Sequence, residues 1–305
     1  MNVTLRQLRV FRAVALERNF SRAGDGIGLT QPAVSRSILE LESQLGVKLL
    51  DRTTREVALT EAGQALALRL DRLLDELDQM LLDVGGLARA RRGKVRVASS
   101  PTLSAHLMPQ CIAACAEREP GIQLVLLDRI QQDVLGSVRA GEVDFGVVIE
   151  PSGAEDLHQE PILRDPFVLV TREAHPLAKK TASVRWSALS GQPLVLLDHA
   201  SGSRRLIDAA LERHGARCEP AQELGHPTTV FRMVEAGIGI SVMPALALPP
   251  GGVAGLAVRP LAPTVERAIV LVHRRNRAPS PLAQRVWGLV HDVAAGMRQG
   301  GVSPA

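Results

Sequence analysis

The chain has 305 residues, with 36 Lys and Arg against 32 Asp and Glu and 46% hydrophobic residues, which is enough to build two or three domains with cores. No apolar run approaches the ~18 residues that a membrane-spanning helix needs, and arginines are spread through the first 30 residues, so neither a transmembrane protein nor a secretory signal is expected. Three cysteines cannot form a disulfide framework, which favours a reducing cytoplasm. With no Tyr and few other aromatic residues, stacking of single-stranded bases is not expected.

The net charge of +4 is unevenly distributed along the chain. Residues 1–60 contain nine Lys and Arg against six Asp and Glu, whereas residues 61–92 contain five against six. Positive charge at one end of a larger, nearly neutral chain indicates a polyanion-binding module attached to a different domain.

The first 45 residues carry the pattern of three helices. Apolar residues recur at helical spacing from Thr4 to Ala15, which predicts a first helix with Thr4 as its N-cap. A short helix is predicted over 21–27, and Gly28 can end it in the left-handed conformation. A longer helix is predicted from Gln31 to Leu45, with Pro32 in its first turn. Two helices joined through a Gly turn have the outline of a helix-turn-helix.

The outer face of that third helix carries groups that can read the edges of DNA bases. Gln can pair with adenine, Arg with guanine, Ser with either a base or a phosphate, and an Ala methyl can contact a thymine methyl. The residues of these types in the first two turns are Gln31, Ala33, Ser35 and Arg36. An ordinary solvated helix face is the alternative, and the preceding short helix and Gly turn favour DNA binding.

The segment after Gly46 predicts two short extended stretches about a polar turn, which we interpret as a wing. Arg52 and Arg55, with the hydroxyls of Thr53 and Thr54, suit contacts to phosphate or to the minor groove. Such contacts add salt-dependent affinity and set the register without reading sequence. An ordinary surface hairpin is the alternative.

A long helix is predicted after Thr60, with apolar residues at nearly coiled-coil spacing. A seam that narrow, on a helix with no core of its own, implies a partner helix, and a second copy of the chain is the simplest partner. Packing against the chain's own C-terminal body is the alternative. The predicted dimerisation residues are Leu66, Leu70, Leu73, Leu77, Met80 and Val84.

The sequence therefore divides into a DNA-binding domain over residues 1–60, a linker helix and hinge over 61–92, and a C-terminal body over 93–305. In that body strands and helices alternate, which predicts a parallel sheet with helices on both faces, repeated in two α/β lobes. We expect lobe one to comprise about residues 93–163 and 268–305, and lobe two about 164–267.

Hydroxyl groups follow the predicted strands of both lobes at places where helices begin. In open α/β sheets small ligands bind beyond the carboxyl ends of the strands, so these groups predict a polar cleft between the lobes. Each Ser could instead serve only as a helix cap. Asp198 near the cleft could select for an amine or hydroxyl, which leaves the charge of the ligand open. The candidate ligand-binding residues are Ser99, Ser100, Thr102, Ser201 and Thr228.

Short motifs along the whole chain are similar to those of one protein family. They include Phe20–Ala23, Leu29–Arg36, Leu50–Arg52, Leu59–Gly63, Gly141–Asp144, His175–Leu177 and Ala236–Ile240. Together they resemble the LysR-type transcriptional regulators. The resemblance implies a bacterial regulator with an N-terminal all-α winged helix-turn-helix, a long dimerising linker helix, and a two-lobed, Rossmann-like effector domain similar to periplasmic binding proteins.

The resemblance also implies partners and site residues. The expected partners are double-stranded DNA with an interrupted palindrome containing T-N11-A, a second or further copies in a homodimer or homotetramer, a small-molecule co-inducer, and RNA polymerase. No other cofactor and no metal are expected. The matched motifs assign DNA contacts to Gln31, Pro32, Ser35, Arg36, Arg52 and Thr54, and effector contacts to Ser100, Thr102, Ser201 and Thr228.

Two departures from the family pattern bear on stability and on the effector. Gly24 and Gly26 stand where Ala is usual, and each Gly inside a helix costs about 0.5–1 kcal/mol relative to Ala. Arg129 follows the second strand of lobe one, where a small Gly-Ser or Gly-Thr pair is common. We expect Arg129 to help select an anionic effector.

No arrangement of side chains in the sequence predicts an enzyme. Asp198, His199 and Ser201 are close in sequence but show no nucleophile-elbow pattern, and no cysteine pair for thiol sensing is found in lobe two. The sequence predicts a cytoplasmic, effector-responsive transcription factor. The alternative is a small-ligand-binding α/β module with a non-transcriptional output.

Overall fold

The computed structural model describes residues 2–52, 57–84, 93–179, 183–249 and 251–299. The chain forms two compact units, Met1–Ala90 and Arg91–Ala305. Within the described ranges, no helix is both long and apolar enough to cross a membrane. Several predicted features lie outside the described residues: Thr53, Thr54, Arg55, the hinge over 85–92, and the side chains of Arg52, Met80 and Val84.

The first unit opens with the three predicted helices, α1 (Leu5–Glu17), α2 (Phe20–Ile27) and α3 (Gln31–Leu45). Thr4 caps α1 through a capping box, because its hydroxyl accepts from the Gln7 backbone N–H while the Gln7 side chain accepts from the Thr4 N–H. Gly28 ends α2 with φ of 69°, as predicted. The bounds of α3 are those predicted from the sequence.

The core of this unit lies where α3 crosses α1. Val34, Ile38 and Leu41 of α3 are buried together with Phe11 and Val14 of α1. This burial fixes the rotation of α3 about its axis, so its opposite face is directed to solvent.

The predicted wing is a two-stranded antiparallel hairpin of β1 (Leu50–Arg52) and β2 (Val57–Leu59). Glu42 of α3 holds its base, since Oε1 accepts the backbone N–H groups of Leu49 at 2.8 Å and Leu50 at 3.1 Å. One carboxylate thus satisfies two backbone donors and ties the hairpin to α3.

The long helix α4 (Glu61–Val84) corrects one expectation. Leu70 and Leu74 are buried in the core of the first unit, and Leu66 packs against that core. The helix therefore has a core of its own, and Leu66 and Leu70 face their own domain rather than a second copy. Apolar spacing alone could not distinguish these two partners. Leu73, by contrast, is 55% exposed.

The second unit contains the two expected lobes. In chain order its helices and strands are β3 (Gly93–Ser99), α5 (Pro101–His106), α6 (Met108–Arg118), β4 (Ile122–Asp128), α7 (Gln131–Ala140), β5 (Phe145–Ile149), β6 (Leu157–Arg172), β7 (Val184–Arg185), β8 (Leu194–Leu197), α8 (Arg204–Arg213), β9 (Pro220–Leu224), α9 (Pro227–Glu235), β10 (Ser241–Pro244), β11 (Leu256–Ala262), β12 (Glu266–Arg274) and α10 (Pro281–Gln299). α5 and α6 are separated at Leu107, because Pro109 cannot continue the preceding helix.

The sheet of lobe one runs in the order β4-β3-β5-β12-β6, with β3 parallel to both β4 and β5. Its two faces are covered by helices, since Val97 packs in a cluster with Val286 of α10 while the next residue, Ala98, packs with Val134 of α7. Lobe two adds β10 and β11 beside β6, and a parallel β8–β9 pair.

Two long strands join the lobes. β6 pairs with β12 along Leu157–Pro166 and then with β10 and β11 along Phe167–Arg172, so it passes from one lobe into the other between Pro166 and Phe167. Both β12 and β6 are antiparallel to their neighbours in this region. The sheet is therefore mixed rather than parallel, because the same two strands must also serve as the connections between lobes.

The two glycines of α2 differ in the space around them, which predicts opposite effects of Ala. A Cβ on Gly26 meets nothing within 4 Å, so Gly26→Ala should stabilise the first unit by about 0.5–1 kcal/mol. A Cβ on Gly24 would lie 2.4 Å from the Leu29 carbonyl oxygen, so Gly24→Ala should destabilise it by about 1–3 kcal/mol. Hydrogen exchange of the amides in residues 5–45 of the full chain measures both. Equal stabilisation by the two variants would contradict the close approach at Gly24.

Candidate functional sites

The N-terminal half of α3 presents a polar face. Gln31, Pro32, Ala33 and Arg36 are exposed and Ser35 is half-buried. Pro32, Ala33 and Arg36 lie opposite the buried stripe, whereas Gln31 and Ser35 lie at its edge near the start of the helix.

The start of α3 also presents backbone donors. Thr30 is the N-cap, is exposed, and makes no capping hydrogen bond with its side chain. Pro32 has no N–H, and the Val34 N–H bonds to the Thr30 carbonyl, which leaves the N–H groups of Gln31 and Ala33 without intrahelical acceptors. The positive end of a helix with free N–H groups favours a phosphate oxygen.

The side chains on this face are available for an external partner. Among the described residues, neither the Gln31 amide nor the Arg36 guanidinium has a hydrogen-bonding or ionic partner, whereas Ser35 does make an interaction within the protein. Amide and guanidinium groups can each donate to base edges in the major groove, and guanidinium also binds phosphate.

A cavity of about 130 Å³ lies between the two lobes of the second unit. Lobe one contributes residues at or just after the carboxyl ends of β3, β4 and β5, as expected for a ligand site in an open α/β sheet. These residues are Ser100, Pro101, Thr102, Ile130, Gln131 and Ile149.

Lobe two closes the cavity with two loops, one after β8 and one before α9. They contribute Leu197, Asp198, Ala200, Ser201, Gly202, Gly225, His226 and Pro227. The first loop is held by its own side chains, because Asp198 Oδ1 accepts the Ala200 N–H at 3.0 Å and Ser201 Oγ accepts the Ser203 N–H at 3.3 Å. The predicted residues Ser100, Thr102 and Ser201 are thereby brought together.

Ser100 is the most informative residue of the wall. It is 3% exposed, and its Oγ has no hydrogen-bonding partner. A buried hydroxyl without a partner costs about 1–3 kcal/mol, so it marks a place where a polar group of a ligand would be stabilised.

Three predicted effector residues are not in the wall. Arg129 Nη1 donates to Ser137 Oγ at 2.6 Å and to Glu142 Oε2 at 2.7 Å, so its charge is engaged within lobe one. Ser99 is fully buried, and its carbonyl accepts the Arg129 N–H. Thr228 is exposed, one residue beyond the wall residue Pro227. In the structure Arg129 lies outside the cavity wall and is paired with Glu142, so its position adds no support for an anionic effector.

A contact across the cleft was missed in the sequence. A Cβ on Gly202 of lobe two would lie 2.1 Å from Gln131 Oε1 of lobe one, and the same oxygen accepts the Ile149 N–H at 3.3 Å. The available signal was the position of Gln131 at the first turn of a helix that follows a strand. The identity of its partner could not be read from the sequence.

A buried ion pair connects the loop after β8 to the two strands that join the lobes. Arg267 Nε donates to Asp165 Oδ2 at 2.8 Å, and Arg267 Nη1 donates to Ser203 Oγ at 2.8 Å. Burial raises the pKa of Asp165, and the charge of Arg267 opposes that shift. Burial and the same arginine lower the pKa of His106 at the end of α5.

A second, larger cavity of about 630 Å³ lies beside β6 and β12. Its wall carries equal numbers of Arg and Glu, all at least partly exposed: Arg164, Arg205, Arg275, Glu150, Glu155 and Glu266. No buried, unpartnered polar atom of the described residues faces it. The smaller cavity is therefore the better candidate ligand site.

The three thiols are poorly suited to redox sensing. Burial raises the pKa of Cys111 to about 12 and also raises the pKa values of Cys115 and Cys218. A thiol is reactive as its thiolate, so these shifts disfavour oxidation. Within the described residues, no group of three His, Cys, Asp or Glu residues could hold a metal ion.

Comparison with known proteins gives two family matches that together cover most of the chain. Residues 5–64 match the model of the bacterial regulatory helix-turn-helix protein, lysR family. Residues 88–295 match that of the LysR substrate binding domain.

Similar proteins align with nearly the full length of the chain. The uncharacterized HTH-type transcriptional regulator YfeR of Shigella flexneri is 55% identical over 98% of this chain and 97% of its own length. The uncharacterized HTH-type transcriptional regulator YbhD of Escherichia coli is 32% identical over 95% and 92%. Among solved structures, a C206 mutant of Corynebacterium glutamicum OxyR is 26% identical, with a TM-score of 0.64 over 98% of this chain and 97% of that one.

The contact between Gln131 and Gly202 predicts a coupled effect of mutation. Gly202→Ala should destabilise the second unit by about 1–2 kcal/mol, because the new methyl displaces the Gln131 amide and breaks its bond to Ile149. In a Gln131→Ala background most of that loss should disappear.

Urea unfolding of the full chain measures the destabilisation by Gly202→Ala in both backgrounds. Gly136→Ala in α7, where a Cβ meets nothing within 4 Å, is the matched control and should not destabilise. An undiminished loss from Gly202→Ala in the Gln131→Ala background would show that the two residues are not in contact.

Proposed function

Because the chain belongs to the LysR family of DNA-binding transcriptional regulators, we propose that α3 reads its DNA sequence and that a small effector bound between the two C-terminal lobes controls the outcome. The observation that carries the first part is the exposed face of α3, where Gln31 and Arg36 have no protein partner among the described residues.

On this proposal α3 enters the major groove with its N-terminus foremost. The free N–H groups of Gln31 and Ala33 and the Thr30 hydroxyl bind a phosphate, which fixes the register. Arg36, one turn further along, donates to a base edge or a neighbouring phosphate, and Gln31 reads an adjacent base. The wing strands, held to α3 by Glu42, add contacts to the flanking backbone.

We propose further that two copies associate through α4, although not through all of the apolar residues expected from the sequence. Leu73 and Leu81 are exposed, and Leu77 is half-buried. The core of the first unit covers α4 as far as Leu74. Leu73 lies within that part of the helix, and Leu77 and Leu81 lie beyond it. A two-fold pair of modules would engage two half-sites, which is the arrangement that an interrupted palindrome requires.

The effector part of the proposal is supported by the cavity between the lobes. Its wall combines an unpartnered buried hydroxyl at Ser100 with loops from both lobes, so a ligand there contacts both at once. An effector that binds one lobe arrangement better than another shifts the population between them. The hydrogen bond from Arg267 to Ser203 connects that loop to β12 and so to the junction of the lobes.

A test of the DNA-binding face uses the salt dependence of binding to a duplex of arbitrary sequence. Arg36→Ala should lower the slope of log K against log salt concentration by about 0.9 if this guanidinium neutralises one phosphate, and should weaken binding at low salt. Fluorescence anisotropy of a labelled 30-base-pair duplex, titrated at several salt concentrations, measures the slope.

The matched control is Arg232→Ala, which removes an exposed, ion-paired arginine from α9 of the second unit and should leave the slope unchanged. An Arg36→Ala slope equal to that of the unmodified chain would contradict phosphate contact by Arg36. An equal decrease of the slope in both variants would show that the slope depends only on the net charge of the protein.

A further inference from the structure

The charge of the cavity wall indicates the class of effector. Of the fourteen residues that line it, Asp198 is the one Asp or Glu, and none is Lys or Arg. The imidazole of His226 is the other ionisable group of the wall. A site built for an anion usually places a guanidinium or ammonium group within reach of it.

The arginines adjoining the wall are all engaged with carboxylates. Arg129, next to Ile130, binds Glu142, and Arg204, which follows Ser203, binds Asp208 and Glu223. Arg267 binds Asp165, and both of these side chains are 1% exposed. The positive charge of each of these three guanidinium groups is therefore already balanced by a carboxylate of the protein.

Asp198, a wall residue, has one carboxylate oxygen that accepts no hydrogen bond within the part of the chain that the structure describes. Its Oδ1 accepts the Ala200 N–H, while Oδ2 lies beside Gly225, another wall residue, and accepts no hydrogen bond from the described residues. Ser100, on the opposite lobe, supplies the buried hydroxyl without a partner. Apolar side chains of Ile130, Ile149 and Leu197 complete the wall around these polar groups.

The size of the cavity limits the ligand. A dry cavity of about 150 Å³ accommodates benzene, so roughly six non-hydrogen atoms fit in the 130 Å³ available here. Because Asp198 and Ser100 both line this small cavity, a ligand that fills it lies against both residues. Like charges confined together repel strongly, so a carboxylate is excluded where a carboxylate already stands.

We propose that the effector is a small molecule without negative charge, carrying an ammonium, amide or hydroxyl donor that binds Asp198, with a short apolar body, and that Asp198 excludes carboxylates of the same size. The inference rests on the proposed effector site between the lobes. Arg129 was expected to select an anionic effector. On the present proposal Asp198 determines the charge of the effector and excludes anions.

Three probes of nearly equal shape test this: butylamine, butanamide and butyrate, each added to the full chain at pH 8 and constant ionic strength. Binding is followed by thermal melting and by intrinsic tryptophan fluorescence. Butylamine and butanamide should stabilise the protein, and butyrate should not. Asp198→Asn should weaken butylamine binding at least tenfold and allow butyrate to bind.

The matched control is Glu212→Gln, which removes the same charge from an exposed position on α8 and should change nothing. Butyrate binding to the unmodified chain as tightly as butylamine would overturn the charge selection, and so would the absence of binding by all three probes at 50 mM. Binding that neither Asp198→Asn nor Ser100→Ala weakens would lie outside the cleft and would count against the effector site itself. DNA binding through α3 would stand in each case, since its salt slope is measured separately.

Discussion

The C-terminal unit depends on one buried ion pair at the junction of its lobes. Asp165 and Arg267 lie on β6 and β12 where these strands pass between lobes, and both side chains are 1% exposed. Asp165 also accepts the Leu246 N–H at 3.0 Å, and Arg267 donates to Ser203 beside the cavity loop. Removing one member of such a pair costs about 3–5 kcal/mol, because a buried charge is left unpaired. The same arginine therefore connects the junction of the lobes to the loop that lines the cavity.

Much of the architecture could be predicted because the sequence marks its own boundaries. Gly28, Pro32 and Gly46 delimit α3, and its buried stripe fixes which face is exposed, so the exposed residues proposed to contact DNA followed from local pattern. Alternating strands and helices predicted the two α/β lobes. Hydroxyls at the starts of helices predicted three of the fourteen residues of the cavity wall: Ser100, Thr102 and Ser201.

The remainder depends on contacts between residues far apart in sequence. Arg129 binds Glu142 because α7 returns the chain beside it, and Gln131 meets Gly202 only when two lobes are assembled. Leu70 has coiled-coil spacing, yet it is buried in its own domain. A periodic pattern shows which face of a helix is covered, but it does not show by what.

The most direct test of the account is to sequence genomic fragments retained by the purified full chain and by the double variant Gln31→Ala/Arg36→Ala at moderate salt. The account predicts enrichment of a dyad-symmetric site with two half-sites, and its loss in the variant, because base reading depends on the exposed face of α3. Enrichment that is absent, or equal in both proteins, would contradict sequence-specific recognition by this helix.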